Sequence, residues 1–513
     1  MQNNSKNEMV AKVKTFALSG VDVIDVNVEV KITSGFVKFN IVGLPDKAVS
    51  ESSERVRAAI SSMGLAFPSK RVTVNLTPAD LAKEGSYLDL PIALGVLIEM
   101  GIVPQDAVDG YVAMGELSLD SSINPVNGIL PASVGASERG LGIICSEGNG
   151  AEAIWAGDHL DILTPYNLLS LINHFKGTQI LSNPELKRKR KIVKYPDLND
   201  VVGQKHAKRA LEITASGGHN LLMIGPPGTG KSMLAKRLGG ILPDLSLEEV
   251  LAVNMVGSIA GQIKNGSLLT QRPFLDPHHS CSMPAMVGGG KKPKPGQISL
   301  AHKGILFLDE LPEFQRQVLD SLRQPMETGE VSIARAHSCV TFPADFQLIG
   351  AMNPCRCGHL MDDKVKCSCS PRSVQDYQNK ISGPLYDRID LVIEVPKIDI
   401  FETRRVEVDI EDSATVKLRV ERAREIQRKR YEGTDNKQMI NARASNKLIE
   451  KFAKLDKESE NLIKKAVDKF GLSMRSYIKI LKVARTIADI EGIENVKKNH
   501  ILEALRYRRT RGS

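Results

Sequence analysis

The run Gly225-Pro226-Pro227-Gly228-Thr229-Gly230-Lys231-Ser232 constrains this chain more than any other feature. It closes the apolar segment Asn220-Leu221-Leu222-Met223-Ile224 and opens a helical pattern, which is the strand-loop-helix setting of a phosphate-binding loop. Glycines let backbone N–H groups wrap phosphates at a helix N-terminus, Lys231 can reach the β- and γ-phosphates, and Ser232 offers a hydroxyl to Mg²⁺. A nucleoside triphosphate is the expected ligand. A Gly-rich turn alone would need neither the strand before it nor the helix after it.

The other half of such a site lies downstream. Gly304-Ile305-Leu306-Phe307-Leu308 reads as a buried strand ending in Asp309-Glu310. Asp309 suits Mg²⁺, and Glu310 suits orienting and deprotonating the attacking water. A further strand, Phe346-Gln347-Leu348-Ile349-Gly350-Ala351-Met352, ends in Asn353, whose amide can hydrogen-bond the γ-phosphate or the lytic water. Three strand-then-loop motifs in order predict an α/β core with a parallel sheet and the ligand at its carboxyl edge. Phosphoryl transfer spreads negative charge over the γ-phosphate, so an arginine from a neighbouring subunit is expected. Arg388, in Gly383-Pro384-Leu385-Tyr386-Asp387-Arg388-Ile389-Asp390, is the candidate; its alternative is an ion pair with Asp387 or Asp390. Arg475, opening a long C-terminal helical pattern, is a candidate nucleotide contact from a lid, with a solvated helix face as the alternative.

These motifs, in this order, resemble the AAA+ branch that contains magnesium-chelatase ATPases and MCM helicases. The strings Arg272-Pro273-Phe274, Pro277-His278-His279-Ser280, Gly288-Gly289-Gly290, Ile298-Ser299-Leu300-Ala301-His302 and Asp309-Glu310-Leu311-Pro312-Glu313-Phe314 narrow the resemblance to the ComM/YifB family. Those are bacterial magnesium-chelatase-like ATPases linked to natural transformation. Ile41-Val42-Gly43-Leu44-Pro45-Asp46 and Asn75-Leu76-Thr77-Pro78-Ala79-Asp80-Leu81 extend the match into the N-terminal half. The resemblance implies an α/β chain in four parts. These are a degenerate Lon-protease-like α+β domain over residues 1–181, a basic linker over 182–196, an AAA+ P-loop core with a helix-2 insertion over 197–396, and a helical lid over 397–513. It also implies ATP and Mg²⁺ as cofactors, Glu310, Asn353, Arg388 and Arg475 as catalytic residues, and a hexameric DNA helicase promoting branch migration and donor-DNA integration.

Lys83-Glu84-Gly85-Ser86-Tyr87 and the segment from Gly115-Glu116-Leu117 through Gly128 resemble a degenerate Lon-protease fold, and that resemblance puts Tyr87 at the nucleophile position and Leu130 at the lysine position. Neither side chain can form an activated serine–lysine pair, so the N-terminal domain is expected to be a non-catalytic interaction or DNA-binding unit. A shifted pair of Ser86 and Lys83 stays open.

The 78 positions from Lys231 to Asp309 exceed what a compact P-loop core needs, which implies an insertion. Its segment Gly288-Gly289-Gly290-Lys291-Lys292-Pro293-Lys294-Pro295-Gly296 could carry Lys291, Lys292 and Lys294 into a ring pore against DNA phosphates, or be a solvated loop. Arg335, in Val331-Ser332-Ile333-Ala334-Arg335-Ala336-His337, is a second DNA-contact candidate. His278 and His279 read as packing or hydrogen-bonding residues, since no third ligand stands at a helical spacing. Cys355-Arg356-Cys357 and Cys367-Ser368-Cys369 could close a tetrahedral Zn²⁺ site, although C-x-C is tighter than the usual spacing; reduced free thiols and a redox role are the alternatives.

A chain of 513 residues with 42% hydrophobic content can bury several cores, and its formal net charge of +9 favours polyanion partners. The run Lys187-Arg188-Lys189-Arg190-Lys191 reads as an exposed linker or a phosphate contact. A polar opening without a signal-peptide core, no apolar stretch of spanning length, and seven cysteines unlike a secreted scaffold predict a cytoplasmic chain without a membrane partner. The rival reading is a chelatase-like or MoxR-like ATPase remodelling a protein partner. Magnesium chelatase works with subunits bearing a D-x-S-x-S adhesion site, and here Asp120-Ser121-Ser122-Ile123-Asn124 ends in the wrong residue.

Overall fold

A computed structural model describes residues 10–184, 190–191, 193–290, 293–334, 339–362, 365–397, 411–436 and 439–508. The N-terminal unit is built on strands β1 (Ala11–Ser19), β2 (Asp22–Thr33), β3 (Lys38–Val42), β4 (Arg71–Thr77), β5 (Tyr111–Ala113), β6 (Gly142–Ile144) and β7 (Ile162–Leu163). They form one mixed sheet in the order β3-β4-β2-β1-β5-β6-β7. Alternation sets its faces: Val26, Val28 and Val30 of β2 and Val72, Val74 and Leu76 of β4 are buried between more exposed neighbours. The helix Asp89–Glu99 packs on β1 and β2, and its residues Asp89 to Leu97 are all buried.

The second unit holds the expected parallel sheet. Strands β8 (Leu221–Ile224), β9 (Phe274–Leu275), β10 (Ile305–Leu308), β11 (Gln347–Met352) and β12 (Leu391–Glu394) lie in the order β9-β10-β11-β8-β12, every pair parallel. All four residues of β8 and of β10 are buried. Covered on both faces, these strands read in the sequence as unbroken apolar runs.

Between β8 and β10 the insertion is present as the helix Leu247–Ile259 followed by a short antiparallel pair, Gly288–Gly289 with Lys294–Pro295. Lys294 is exposed at the loop end of that pair, while Lys291 and Lys292 lie outside the described residues. A second hairpin pairs Glu330–Ala334 with Cys339–Pro343; Arg335 also lies outside the described residues.

The two units pack on each other through this insertion. Val250 and Leu268 join Ile154 and Trp155 in one core, and the Trp155 indole donates to Gly266 O at 3.3 Å. Gly20 is required at the β1–β2 turn: its φ is +66°, and a Cβ there would lie 2.1 Å from Thr341 O of the second hairpin. The segment expected as a linker is partly tied down. Arg190 and Lys191 are exposed but pair in parallel with Leu268 and Leu269, and the Tyr195 hydroxyl donates to Arg272 O at 2.6 Å. Lys187, Arg188 and Lys189 lie outside the described residues.

The C-terminal region is helical: Ser413–Tyr431, Asn446–Phe452, Lys457–Phe470, Met474–Ile490 and Lys498–Arg506. Its core is continuous with the sheet, since Val416, Val420, Leu481, Ala484 and Ile487 pack in one cluster with Ala207, Leu211, Leu221 and Met223. Among the described residues, no helix is long and apolar enough to cross a membrane.

Candidate nucleotide-binding site

The loop after β8 is shaped by its glycines. Gly225 donates to Met352 O at 3.2 Å, and a Cβ on it would lie 2.2 Å from Val395 O, so the loop leaves the sheet through a gap no side chain fits. Gly228 and Gly230 take φ of +76° and +88° with open space beside them. Gly230 then caps the helix Lys231–Ile241, which turns Leu234, Ala235, Leu238 and Ile241 into the core and leaves its first N–H groups facing the loop.

Lys231 is nearly buried, and its ammonium donates to Gly225 O at 2.7 Å, Pro226 O at 2.8 Å and Asn353 Oδ1 at 3.3 Å. Burial holds its pKa below the ordinary lysine value, while Asp309 and Glu310 pull the other way. Ser232, one residue on, donates its hydroxyl to Asp309 Oδ2 at 2.5 Å. Asp309 Oδ1 accepts from the Glu310 backbone N–H at 2.9 Å. Glu310 itself sits at φ +50°, a left-handed backbone uncommon for a side-chain-bearing residue, and its carboxylate is exposed. The three motifs therefore meet because β10, β11 and β8 are adjacent and all end on the same edge.

One contact at this edge was not legible in the sequence. His279 Nδ1 lies 3.4 Å from Glu310 Oε2, its ring 4.1 Å from that of His278 and edge-on to Phe314. The reading of His278 and His279 as hydrogen-bonding residues agrees with this, but nothing in their spacing pointed to Glu310. Asp276 is a further carboxylate at the carboxyl end of the edge strand β9, close enough to Asp309 to feel its charge.

The two arginines stand elsewhere. Arg388 precedes β12, which runs parallel to β8 with Leu391 opposite Leu221, so Arg388 lies at the amino edge of the sheet and the P-loop at the carboxyl edge. It pairs with Glu327, not with Asp387 or Asp390, and donates to Pro384 O at 2.9 Å. Asp390 instead accepts from the Asn220 N–H at 2.9 Å. Arg475 is likewise remote from Lys231 of its own chain: its side chain is 78% exposed and its guanidinium lies 4.0 Å from Asp387. Within one chain both arginines therefore flank Asp387 on the opposite edge from the P-loop.

In the N-terminal unit, Lys83 is buried with its ammonium on Pro78 O, and the Ser86 hydroxyl is bound to Glu116. Each half of the shifted pair is engaged with another partner. Leu130 is buried in the helix Ile129–Glu138, and burial raises the Tyr87 phenol well above its ordinary value, away from nucleophilic use. The four sulfurs of Cys355, Cys357, Cys367 and Cys369 converge within 4.8 Å of one another.

A parallel sheet with a P-loop, an acidic pair and a polar asparagine on three adjacent strand ends defines a P-loop nucleotide-binding core of the magnesium-chelatase AAA+ type. Family models agree: "Magnesium chelatase, subunit ChlI" matches residues 197–403, "Subunit ChlI of Mg-chelatase" residues 28–149, and "Magnesium chelatase, subunit ChlI C-terminal" residues 410–508. Among curated proteins, the chain is 43% identical over 504 residues to competence protein ComM of Haemophilus influenzae, covering 97% of each. It is 42% identical over 503 residues to YifB of Escherichia coli, an uncharacterized protein, covering 97% of this chain and 96% of that one. A more distant relative is the magnesium-chelatase 38 kDa subunit of Rhodobacter capsulatus, 25% identical over 324 residues, 59% of this chain and 83% of that one. The chain belongs to the ComM/YifB family of magnesium-chelatase-like proteins.

Proposed function

We propose that this chain is an ATP-driven DNA motor, working as a hexamer, that promotes branch migration and integration of donor DNA during transformation or recombination. The observation that carries the ATPase part is the meeting of Lys231, Ser232, Asp309 and Asn353 at one sheet edge, with Glu310 beside them. Ser232 Oγ and Asp309 Oδ2 supply two hard oxygen donors 2.5 Å apart, a pair suited to Mg²⁺. Ser232 and Asp309 would hold the ion, which would supply charge neutralisation to the β- and γ-phosphates. Lys231 binds the phosphates, Glu310 takes the proton of the attacking water, and Asn353 orients that water or the γ-phosphate.

Arg388 and Arg475 sit at the opposite edge from their own P-loop. In a ring they would face the P-loop of the next subunit, so this placement supports hydrolysis between subunits and an inactive monomer. The DNA part is supported by the near full-length match to a protein named for competence and by the formal net charge of +9. Lys291, Lys292, Lys294 and Arg335 are the proposed DNA contacts, residues 1–181 a non-catalytic Lon-like unit, and the cytoplasm the proposed location. The remaining reading, a motor acting on a protein partner, draws on the weaker match to the magnesium-chelatase subunit. A labelled four-way junction decides between them: ATP-dependent conversion to branch-migrated products is expected, and a junction untouched by an ATP-hydrolysing preparation would favour the protein-remodelling motor.

A further inference from the structure

The four clustered cysteines lie on two short arms that meet at a point. Cys355 Sγ is 3.4 Å from Cys357 Sγ and 3.7 Å from Cys367 Sγ, and Cys357 Sγ is 3.5 Å from Cys367 Sγ. Four sulfurs around one Zn²⁺ at about 2.3 Å stand about 3.8 Å apart by tetrahedral geometry, close to these separations. They are far beyond the ~2.05 Å of a disulfide. The tight C-x-C spacing, which argued against joint coordination, is accommodated because each arm folds back over its own sulfurs. Backbone N–H groups of Gly358 and Leu360 point at Cys355, those of His359 and Ser368 at Cys357, and that of Cys369 at Cys367, the last at 3.4 Å. N–H groups aimed at sulfur stabilise thiolate, the form that binds metal.

We propose that Cys355, Cys357, Cys367 and Cys369 bind one Zn²⁺ that fixes the arm carrying Asn353 against the P-loop. Four soft thiolates without an open position select Zn²⁺ in a structural role. The arm begins two residues after Asn353 and is pressed on the phosphate loop: Gly358 has φ +85°, and a Cβ on it would lie 2.8 Å from Pro227 Cδ. Pro354 O accepts from Gln378 Nε2 at 2.8 Å, tying the same arm to the helix Pro371–Gln378. Closing the arms with a metal therefore holds the segment that places the Asn353 amide 3.3 Å from the Lys231 ammonium.

The test uses the full-length protein and reads neither hydrolysis nor DNA binding, so it stands apart from the proposed function. Metal analysis should give one zinc per chain. Titration with a mercurial should release it as four thiols react, ahead of buried Cys145 and after exposed Cys339. Co²⁺ exchanged into the site should show sulfur-to-cobalt charge transfer and tetrahedral d–d bands. Removing the metal should raise amide exchange across residues 353–360 by at least about tenfold. A Cys367→Ser, Cys369→Ser variant should lose the zinc; the native-protein titration covers the case in which that variant misfolds. Zinc well below one per chain, cobalt bound without a sulfur band, or two disulfides in protein purified under reducing conditions would overturn the site. Unchanged exchange after metal removal would overturn its coupling to Asn353.

Discussion

Ser232 Oγ lies 2.5 Å from Asp309 Oδ2, joining the first turn of the helix after the P-loop to the end of the acid-bearing strand. The two residues are 77 positions apart in the chain. Strand β11 separates their parent strands in the sheet, so this contact spans the site at its carboxyl edge. Lys231 and Asn353 make the matching contact from β8 to β11. In the proposed mechanism the phosphate chemistry rests on these four residues and Glu310.

Lys231→Ala removes the charged donor from the phosphate cradle. Charge-assisted bonds of this kind contribute about 1.5–3 kcal/mol each, so ATP affinity should fall at least about tenfold to a hundredfold, measured by calorimetry or a fluorescent nucleotide. Glu310→Gln keeps the cradle and removes the base. Its ATP affinity should stay within about twofold while turnover falls on the order of 10² to 10⁴. Normal turnover in Glu310→Gln would remove Glu310 from the role.

If Arg388 acts on a neighbour's γ-phosphate as proposed, Arg388→Ala should bind ATP normally and lose on the order of 10³ in turnover. Mixing it with Lys231→Ala gives the decisive reading. Each variant alone should be nearly inactive, whereas rings mixed from the two would contain interfaces with an intact P-loop facing an intact Arg388. Recovery of part of the activity on mixing is expected, and no recovery from rings shown to mix would place Arg388 in the structural ion pair with Glu327 alone.

Asp390 anchors the segment that carries Arg388. Burial alone would raise its carboxyl, but contact with His219, Lys479 and the Asn220 N–H outweighs burial and holds it at about 2, against an ordinary 3.8. A depressed carboxylate contributes stability that is complete above its unfolded pKa and is lost as pH falls through the folded value. Unfolding by urea, followed by circular dichroism, should therefore lose about 2 kcal/mol from this group between pH 5 and below pH 2. In Asp390→Asn that component of the acid loss should vanish, and an unchanged pH dependence would contradict the assignment.

Replacing Lys291, Lys292 and Lys294 by alanine should leave DNA-free hydrolysis within about twofold and weaken DNA binding. The slope of log affinity against log salt should flatten by about 0.9 for each duplex phosphate that these lysines no longer neutralise. An unchanged slope would return the segment to a solvated loop.

Much of the site was legible in the sequence because its strands are buried on both faces. Leu221–Ile224 and Ile305–Leu308 therefore read as short unbroken apolar runs, each with its chemistry at the residue that follows. The parallel sheet followed from that order. What stayed hidden depends on contacts between distant segments. The approach of His279 to Glu310 needs β9 beside β10, and β9 is only two residues long, too short to leave a pattern. The place of Arg475 was hidden too: the helix it opens, Met474–Ile490, packs on the helix Lys205–Gly217, while Ser413–Tyr431 packs on both that helix and the helix Lys231–Ile241 after the P-loop, and the apolar faces alone do not say which partner each takes. The convergence of the cysteines rests on turns whose N–H groups face sulfur, and spacing alone argued the other way.

The proposed function stands on ATP hydrolysis that drives work on DNA. Hydrolysis by the wild-type chain, measured with and without single-stranded and branched DNA and with Glu310→Gln as the control for contaminating activity, tests it. Stimulation by DNA that disappears in Glu310→Gln is the expected result; hydrolysis that is lost in the variant yet indifferent to either DNA would contradict it.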